Sequence, residues 1–367
     1  MTFFGRVGLA VTRFAPQGDG VAYVGRLLRH ALEPLAEELI CVELGDYDGH
    51  PISAPRRGVF LRQFREAQHF QLPDWWLFVH CDVGRLQHAL PPEERRPYAV
   101  FLHGGEVRLP ALNRARARVL RHADARLANS RHTARNAVAS CPDIGIVSIC
   151  PLALLPDPPA GELDVSLLET VGTGYALMVA RMNADERFKG HDELLDAWGA
   201  VRGAVPGARL VVVGGGDDAA RLRRKAGELG LADAVRFTGR VTDHTLAELR
   251  RRAAFFVMPS SNEGFGLVYL EAMRDGLACI GCAEDAAAEI IVDGVTGLLV
   301  PDGDRHALAA AVARLFLEPD LARRMGAGGR ARAMKEYTLE RFRHRTAGAL
   351  HLPFATRAAR RVLDRRA

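Results

Sequence analysis

The sequence predicts two doubly wound α/β domains in tandem, each a parallel sheet covered by helices, facing a central cleft. Three observations carry this expectation. The chain has 367 residues, and at roughly 150 residues per domain that length suggests two. Short apolar runs alternate with helix-length amphipathic segments from one end to the other, which is the pattern of βαβ units and therefore of parallel strands. The alternation breaks once, at Cys150-Pro151-Leu152-Ala153-Leu154-Leu155-Pro156-Asp157-Pro158-Pro159-Ala160-Gly161, where four prolines in nine positions preclude a regular helix or a central strand. The first domain is read as residues 1–165 and the second as 166–340, with 341–367 as an Arg-rich C-terminal segment.

The elements follow from the same periodicity. In the first half, apolar runs predict strands at 7–11, 39–44, 76–79, 99–102, 125–128 and 144–149, and three- and four-residue apolar spacing predicts a helix over 21–38. In the second half the strands fall at 175–180, 209–213, 235–238, 254–258 and 277–281. Helices are expected at 191–205, 219–229, 245–252 and 269–275.

Composition narrows the class. Hydrophobic residues make up 48% and charged residues 25%, which is ordinary for a soluble globular protein and excludes disorder and fibrous repeats. No stretch approaches the roughly 20 apolar residues of a membrane span. The start Met1-Thr2-Phe3-Phe4-Gly5-Arg6 leads straight into a strand with no signal-peptide pattern. Six cysteines in so long a chain make no disulfide scaffold, and a cytoplasmic location is expected. Cys279-Ile280-Gly281-Cys282 has the spacing of zinc and redox sites, but it stands inside an apolar run with no second pair near it, so both cysteines are read as structural. The net charge of 49 − 44 = +5 is uneven, because residues 341–367 carry eight arginines and one acid. The rest of the chain is near neutral and lacks basic stretches interleaved with aromatics, which argues against nucleic acid.

In doubly wound sheets ligands bind beyond the carboxyl ends of the strands, so the chemistry is sought there. Pro259-Ser260-Ser261-Asn262-Glu263-Gly264-Phe265-Gly266-Leu267 follows an apolar strand, passes a Gly-x-Gly turn and enters a helix. The free N–H groups of that first helical turn make an anion site suited to a phosphate. Glu263 before the turn and Glu271 two helical turns later would repel a phosphate but accept sugar hydroxyls; alternatively, Glu263 caps the turn and Glu271 is a solvated helix residue. Arg181 comes directly off a strand end and Lys189, one of three lysines, precedes the next helix. Two such cations can neutralise a diphosphate and stabilise it as a leaving group; without a phosphate turn elsewhere they would read as an ordinary solvated loop. Val213-Gly214-Gly215-Gly216 lacks the third glycine of a dinucleotide fingerprint and reads as a turn allowing close backbone approach. In the first half, Gly18-Asp19-Gly20 and His103-Gly104-Gly105-Glu106 place glycines and polar groups after strands.

These residues resemble the retaining glycosyltransferases of family 4, which have the two-Rossmann-domain architecture called GT-B. The likeness rests on Glu263-Gly264-Phe265-Gly266-Leu267 with Glu271 at E-x7-E spacing, on Arg181 with Lys189-Gly190, and on Leu210-Val211-Val212-Val213-Gly214. Val235-Arg236-Phe237-Thr238-Gly239-Arg240-Val241 and Asp293-Gly294-Val295-Thr296-Gly297-Leu298-Leu299-Val300 extend it. The resemblance implies transfer of a hexosyl unit from a nucleoside-diphosphate sugar to a glycan, glycolipid or small-molecule acceptor, with retention, in bacterial surface polysaccharide biosynthesis. It implies that Arg181 and Lys189 bind the donor diphosphate, that Glu263 holds hydroxyls of the transferred sugar with the backbone of Gly264, Phe265, Gly266 and Leu267 beside it, and that Glu271 holds the ribose hydroxyls. Arg240 and Val241 would lie at the base, and His103 would approach the reacting centre. Gly18, Asp19, Gly20 and Glu106 fall to the acceptor side. No cofactor and no metal are expected, and the Arg-rich end is expected to be a helix and tail crossing back to the first domain. Arg114, Arg118 and Arg121, at helical spacing within 109–126, and the tail suggest a peripheral contact with the inner membrane. A nucleotide-sugar epimerase on the same fold and a non-enzymatic nucleotide-sugar-binding module are the alternatives.

Overall fold

A computed structural model describes residues 4–14, 20–43, 54–108, 111–156 and 161–354. The chain divides into two compact units, residues 1–155 with 338–367, and residues 156–337. The division falls after Leu155, ahead of the expected boundary at 165.

The first unit runs β1 (Phe4–Val11), α1 (Gly20–Leu32), β2 (Ala36–Glu43), α2 (Ala54–Glu66), β3 (Trp75–Phe78), α3 (Cys81–Ala89), β4 (Tyr98–Leu102), α4 (Arg114–His122), β5 (Ala125–Ala128), α5 (Arg131–Ser140) and β6 (Ser148–Ile149). Its six strands form one parallel sheet in the order β2-β1-β3-β4-β5-β6. β3 is Trp75-Trp76-Leu77-Phe78, buried at every position, as a central strand covered on both faces requires. Two expectations are corrected. The helix expected over 21–38 stops at Leu32, because Pro34 cannot continue it, and Ala36 already pairs with β1. The strand expected over 144–149 shrinks to Ser148–Ile149: Ile144 ends a short 3-10 turn opened by Pro142, and Gly145 follows at φ 76°.

α4 is shorter than the 109–126 stretch that suggested it. The Asn113 side chain caps it by accepting from the N–H groups of Ala115 and Arg116 at 3.1 and 3.0 Å. Several arginines here serve the fold. Arg116 grips both oxygens of Asp82 at 2.9 and 2.7 Å, Arg121 pairs with Asp143, and Arg126 donates to the carbonyls of Leu120 and Ala123.

The second unit runs α6 (Val165–Val171), β7 (Ala176–Val179), α7 (His191–Ala204), β8 (Leu210–Val213), α8 (Ala219–Glu228), β9 (Val235–Gly239), α9 (Asp243–Arg252), β10 (Phe255–Val257), α10 (Leu267–Arg274), β11 (Cys279–Cys282), α11 (Ala287–Ile290), β12 (Gly297–Val300), α12 (Arg305–Leu317) and α13 (Pro319–Glu336). Its parallel sheet has the order β12-β11-β10-β7-β8-β9. Numbered from its own first strand and read from the β9 edge, that is 3-2-1-4-5-6, the Rossmann order, with its switch point between β7 and β10. Arg221 ties α8 to α7 by gripping Asp192 at 2.8 and 2.6 Å while also holding Asp218, which fixes the helix that begins just after Lys189.

α14 (Leu339–Phe354) belongs to the first unit. It packs against α1, β5 and β6, buries Phe342 completely, and stacks Phe354 on Trp75 with ring centres 4.1 Å apart. The end of the Arg-rich tail, 355–367, lies outside the described residues. No helix among the described residues is long and apolar enough to cross a membrane.

Candidate active site

At the switch point of the second unit the loops after β7 and β10 stand side by side at the carboxyl edge of the sheet. Gly190 closes the first loop at φ 86°, and a Cβ there would meet the Pro259 carbonyl oxygen at 2.4 Å. Only glycine permits that approach. Across it, Lys189 Nζ donates to Glu263 Oε2 at 2.6 Å, with the two side chains 14% and 15% exposed. The Lys189 ammonium also stands 5.3 Å from the centre of the Phe188 ring. The cation and the carboxylate singled out from separate stretches of sequence thus form one shielded pair.

The Glu263 backbone is held as well. Its N–H donates to Asp285 Oδ2 at 2.8 Å, and Asp285 Oδ1 accepts from the Ala287 N–H at 2.8 Å. Asp285 is 3% exposed, and burial pushes its carboxyl up to about 7. Gly266 then turns the chain into α10 at φ 93°, where a Cβ would meet the Tyr269 ring at 2.4 Å. The buried Tyr269 anchors that turn by donating its hydroxyl to the Met258 carbonyl. Within that first turn the Tyr269 N–H donates to the Gly266 carbonyl at 3.0 Å, and a helix start leaves its opening N–H groups facing outward along the axis.

The remaining second-unit candidates are more dispersed. Arg181 is exposed and its guanidinium pairs with Glu186, whose other oxygen accepts from Asn183 at 2.9 Å. The Phe265 side chain is buried near Tyr337, with ring centres 6.2 Å apart. Glu271, on α10, lies 3.4 Å from Arg250 Nη1. Burial raises its carboxyl above the ordinary range, although Arg250 and Arg274 pull it down. A Cβ at Gly214 would meet the Ala180 carbonyl oxygen at 2.0 Å, so this glycine admits the loop after β7 itself. Arg240 is exposed and its side chain lies beside Gly215, with Val241 half-buried next to it.

In the first unit, His103 follows β4. Its ring Nε2 donates to the Val79 carbonyl at 2.6 Å, its own carbonyl accepts from Asn129 at 2.9 Å, and its ring lies 5.8 Å from that of His80. Glu106, assigned to the acceptor side by the resemblance, is turned onto its own loop. It is 7% exposed and spends one oxygen on the His103 N–H at 2.6 Å and the other on the Gly104 N–H at 3.0 Å, so it shapes the loop that carries His103. Burial pushes that carboxyl up, but His80, His103 and the backbone N–H groups outweigh burial and hold it below the ordinary range. Gly20 opens α1, while Gly18 and Asp19 lie outside the described residues.

Asp285, Glu186, Arg250 and His80 were not singled out from the sequence, and neither was His191. That last residue begins α7 two positions after Lys189, is 5% exposed, and its Nε2 has no hydrogen-bond partner. Burial pushes His191 down to about 4, and the folded state therefore favours the neutral ring. A base lowered in this way contributes stability that is complete above its ordinary value of 6.5 and is lost as pH falls toward 4. Between those limits the wild type should lose melting temperature more steeply than His191→Gln, as followed by circular dichroism; parallel slopes would refute it.

Cys279 and Cys282 are free and buried on β11. Among the described residues no group of three His, Cys, Asp or Glu is placed to hold a metal ion.

Comparison with known proteins agrees with this geometry. The family model for glycosyl transferases group 1 matches residues 163–332, which fall within the second unit. A GDP-mannose-dependent alpha-(1-6)-phosphatidylinositol monomannoside mannosyltransferase of Mycolicibacterium smegmatis is 29% identical over 93% of this chain and 96% of its own length. Among solved structures, sucrose-phosphate synthase from Thermosynechococcus elongatus shares the fold with a TM-score of 0.74 at 22% identity, over 94% of this chain and 98% of the other. Anabaena HepE in complex with UDP-glucose does so with a TM-score of 0.72 at 17% identity, over 94% and 99%. The group 1 match, the relative aligned along nearly its whole length and the shared fold disfavour the epimerase and the inactive binding module, and they support a glycosyltransferase of GT-B fold similar to those of family 4.

Proposed function

We propose that this glycosyltransferase moves a hexosyl unit from a nucleoside-diphosphate sugar to a hydroxyl of a lipid-linked or glycan acceptor, with retention at the anomeric carbon and without a divalent metal. The Lys189–Glu263 pair at the switch point carries the reading, because it sets a cation for phosphate beside a carboxylate for sugar hydroxyls. In the reaction the bond from the anomeric carbon to the diphosphate oxygen breaks, and the acceptor oxygen bonds to the same face of that carbon. The acceptor proton passes to the leaving diphosphate. Lys189 and Arg181 stabilise the charge that develops there, as preorganised cations do. Glu263 holds the sugar, Glu271 the ribose, and the exposed Arg240 with Val241 lies beside the base. His103 is the first unit's candidate for the reacting centre.

The mycobacterial relative is named for GDP-mannose and a phosphatidylinositol acceptor, which supports GDP-mannose and an anionic glycolipid as the first pair to test. A lipid acceptor would bring the protein to the cytoplasmic face of the inner membrane, where the exposed Arg114 and Arg118 of α4 supply positive charge.

GDP, UDP and ADP, each with excess chelator, test the donor reading by thermal melting. One nucleotide at about 100 times its dissociation constant should stabilise the wild type by about 2.7 kcal/mol. Glu271→Ala should lose most of that gain. The donor assignment fails when no nucleotide moves the melt, and metal independence fails when the shift needs added Mg²⁺. Co-sedimentation with phosphatidylinositol vesicles decides the lipid arm.

A further inference from the structure

Asp285 is the buried carboxylate of this region that the proposed chemistry leaves without a task. It stands in the turn after β11, on a different loop from both Lys189 and Glu263, and is 3% exposed. Each of its oxygens accepts one backbone N–H: Oδ2 that of Glu263, Oδ1 that of Ala287, both at 2.8 Å. The Glu263 carbonyl in turn accepts from the Ala286 N–H at 3.3 Å. Glu263 is therefore gripped at three points: its N–H and carbonyl by the β11–α11 turn, its carboxylate by Lys189. A carboxylate that receives a sugar must have a fixed backbone as well as a fixed side chain, since an error of about 1 Å in such a group can cost on the order of a hundredfold in rate.

We propose that Asp285 is a positioning residue that locks the backbone of Glu263 and thereby sets where the sugar-binding carboxylate lies, so that it governs use of the sugar nucleotide without touching the nucleotide. The inference rests on the proposed role of Glu263 as the sugar ligand.

The lock is complete only with Asp285 ionised, because both of its oxygens accept. A protonated carboxyl carries its proton on one oxygen, which becomes a poorer acceptor and weakens one of the two N–H bonds. The groups facing it are Glu263 on the loop after β10, Lys189 on the loop after β7, Tyr269 on α10 and Cys282 at the end of β11, with Glu284 its neighbour in the chain. Burial raises the Asp285 carboxyl and the Glu263 charge adds to the rise, while the two N–H bonds and Lys189 oppose it, leaving it at about 7. The lock therefore loosens as pH falls through that value.

The test uses the full chain with GDP-mannose and UDP-glucose, following kcat and KM from pH 5.5 to 8.5. Asp285→Asn keeps the shape but offers one acceptor oxygen where two are needed. It should lower kcat/KM for the sugar nucleotide roughly tenfold and lack the acid limb near neutrality that the lock predicts for the wild type. Affinity for GDP or UDP alone should stay within about twofold. Glu263→Gln separates the two levels of the argument. If it turns over the sugar nucleotide like the wild type, the sugar-ligand reading of Glu263 fails and this inference fails with it. If Glu263→Gln is impaired while Asp285→Asn keeps both its kcat/KM and its acid limb, the positioning role alone is overturned. A parallel fall of melting temperature and nucleotide affinity in Asp285→Asn marks a purely structural residue and overturns it too; Asp285→Ala, which removes both acceptors, checks that the tenfold loss follows the hydrogen bonds.

Discussion

Replacing Lys189 by alanine is expected to lower kcat/KM for the sugar nucleotide by about a hundredfold to a thousandfold, more than any other single change in the second unit that leaves the chain folded. Two effects add. Removing one preorganised charge from the site of a developing anion costs about 3 to 4 kcal/mol in the transition state. The alanine also strands Glu263, whose carboxylate is 15% exposed and held by Lys189 at 2.6 Å. Breaking a pair this shielded costs about 2 to 4 kcal/mol of stability, because the surviving charge keeps its desolvation penalty without its partner. The measurable signature is a large drop in kcat with a moderate drop in melting temperature. Lys189→Arg separates charge from geometry: it keeps the positive charge but replaces a compact ammonium with a planar fork. It should restore most of the stability and only part of the rate. Activity of Lys189→Ala within threefold of the wild type would remove the lysine from the chemistry.

Much of this arrangement was legible in the sequence, and the reasons differ from element to element. Strands such as Leu210-Val211-Val212-Val213 announce themselves because a parallel strand buried on both faces must be apolar throughout. The end of α1 was misread although its signal was present: helical spacing continues through Ala36 and Leu39, but Pro34 forbids the helix. Lys189 and Glu263 could be found because each interrupts its own stretch, a rare lysine after a strand and a carboxylate before a glycine turn. Asp285 could not. It sits among alanines in Ala283-Glu284-Asp285-Ala286-Ala287, and only the order of the sheet brings its turn beneath Glu263, 22 residues earlier. The same limit hid Arg250. In the run Arg250-Arg251-Arg252 local sequence does not distinguish the side chain that is 6% exposed and reaches Glu271 from its neighbour at 57%. The residues proposed to bind the donor left marks on their own segments; those that contact them from other elements act across the sheet and left none.

The glycine turn after β8 yields the second large effect, through backbone alone. Gly214→Ala should remove roughly 2 to 6 kcal/mol of stability, since two penalties combine. At φ 140° an L side chain is strained, which costs about 1 to 3 kcal/mol. The new Cβ would also stand 2.0 Å from the Ala180 carbonyl oxygen and 2.9 Å from its carbon, an overlap of the kind that costs about 1 to 3 kcal/mol to relieve. The obstacle cannot swing aside as a flexible side chain would. The Ala180 N–H donates to the Val213 carbonyl at 3.0 Å, the Met182 N–H to that of Gly215 at 2.9 Å, and the Gly214 N–H to that of Gly239 at 3.0 Å. Any relief therefore has to move the loop that continues to Arg181 and Lys189. Nucleotide-induced stabilisation should accordingly fall further than the loss of stability alone would give. Gly199→Ala is the control: it lies within α7, a Cβ there meets nothing within 4 Å, and alanine at such a site gains up to about 1 kcal/mol. Denaturant titration of the two variants, with and without nucleotide, measures both effects. A Gly214→Ala protein as stable as the wild type would mean that β8 and the loop after β7 are not joined as described here, and the placement of Lys189 would lose its support.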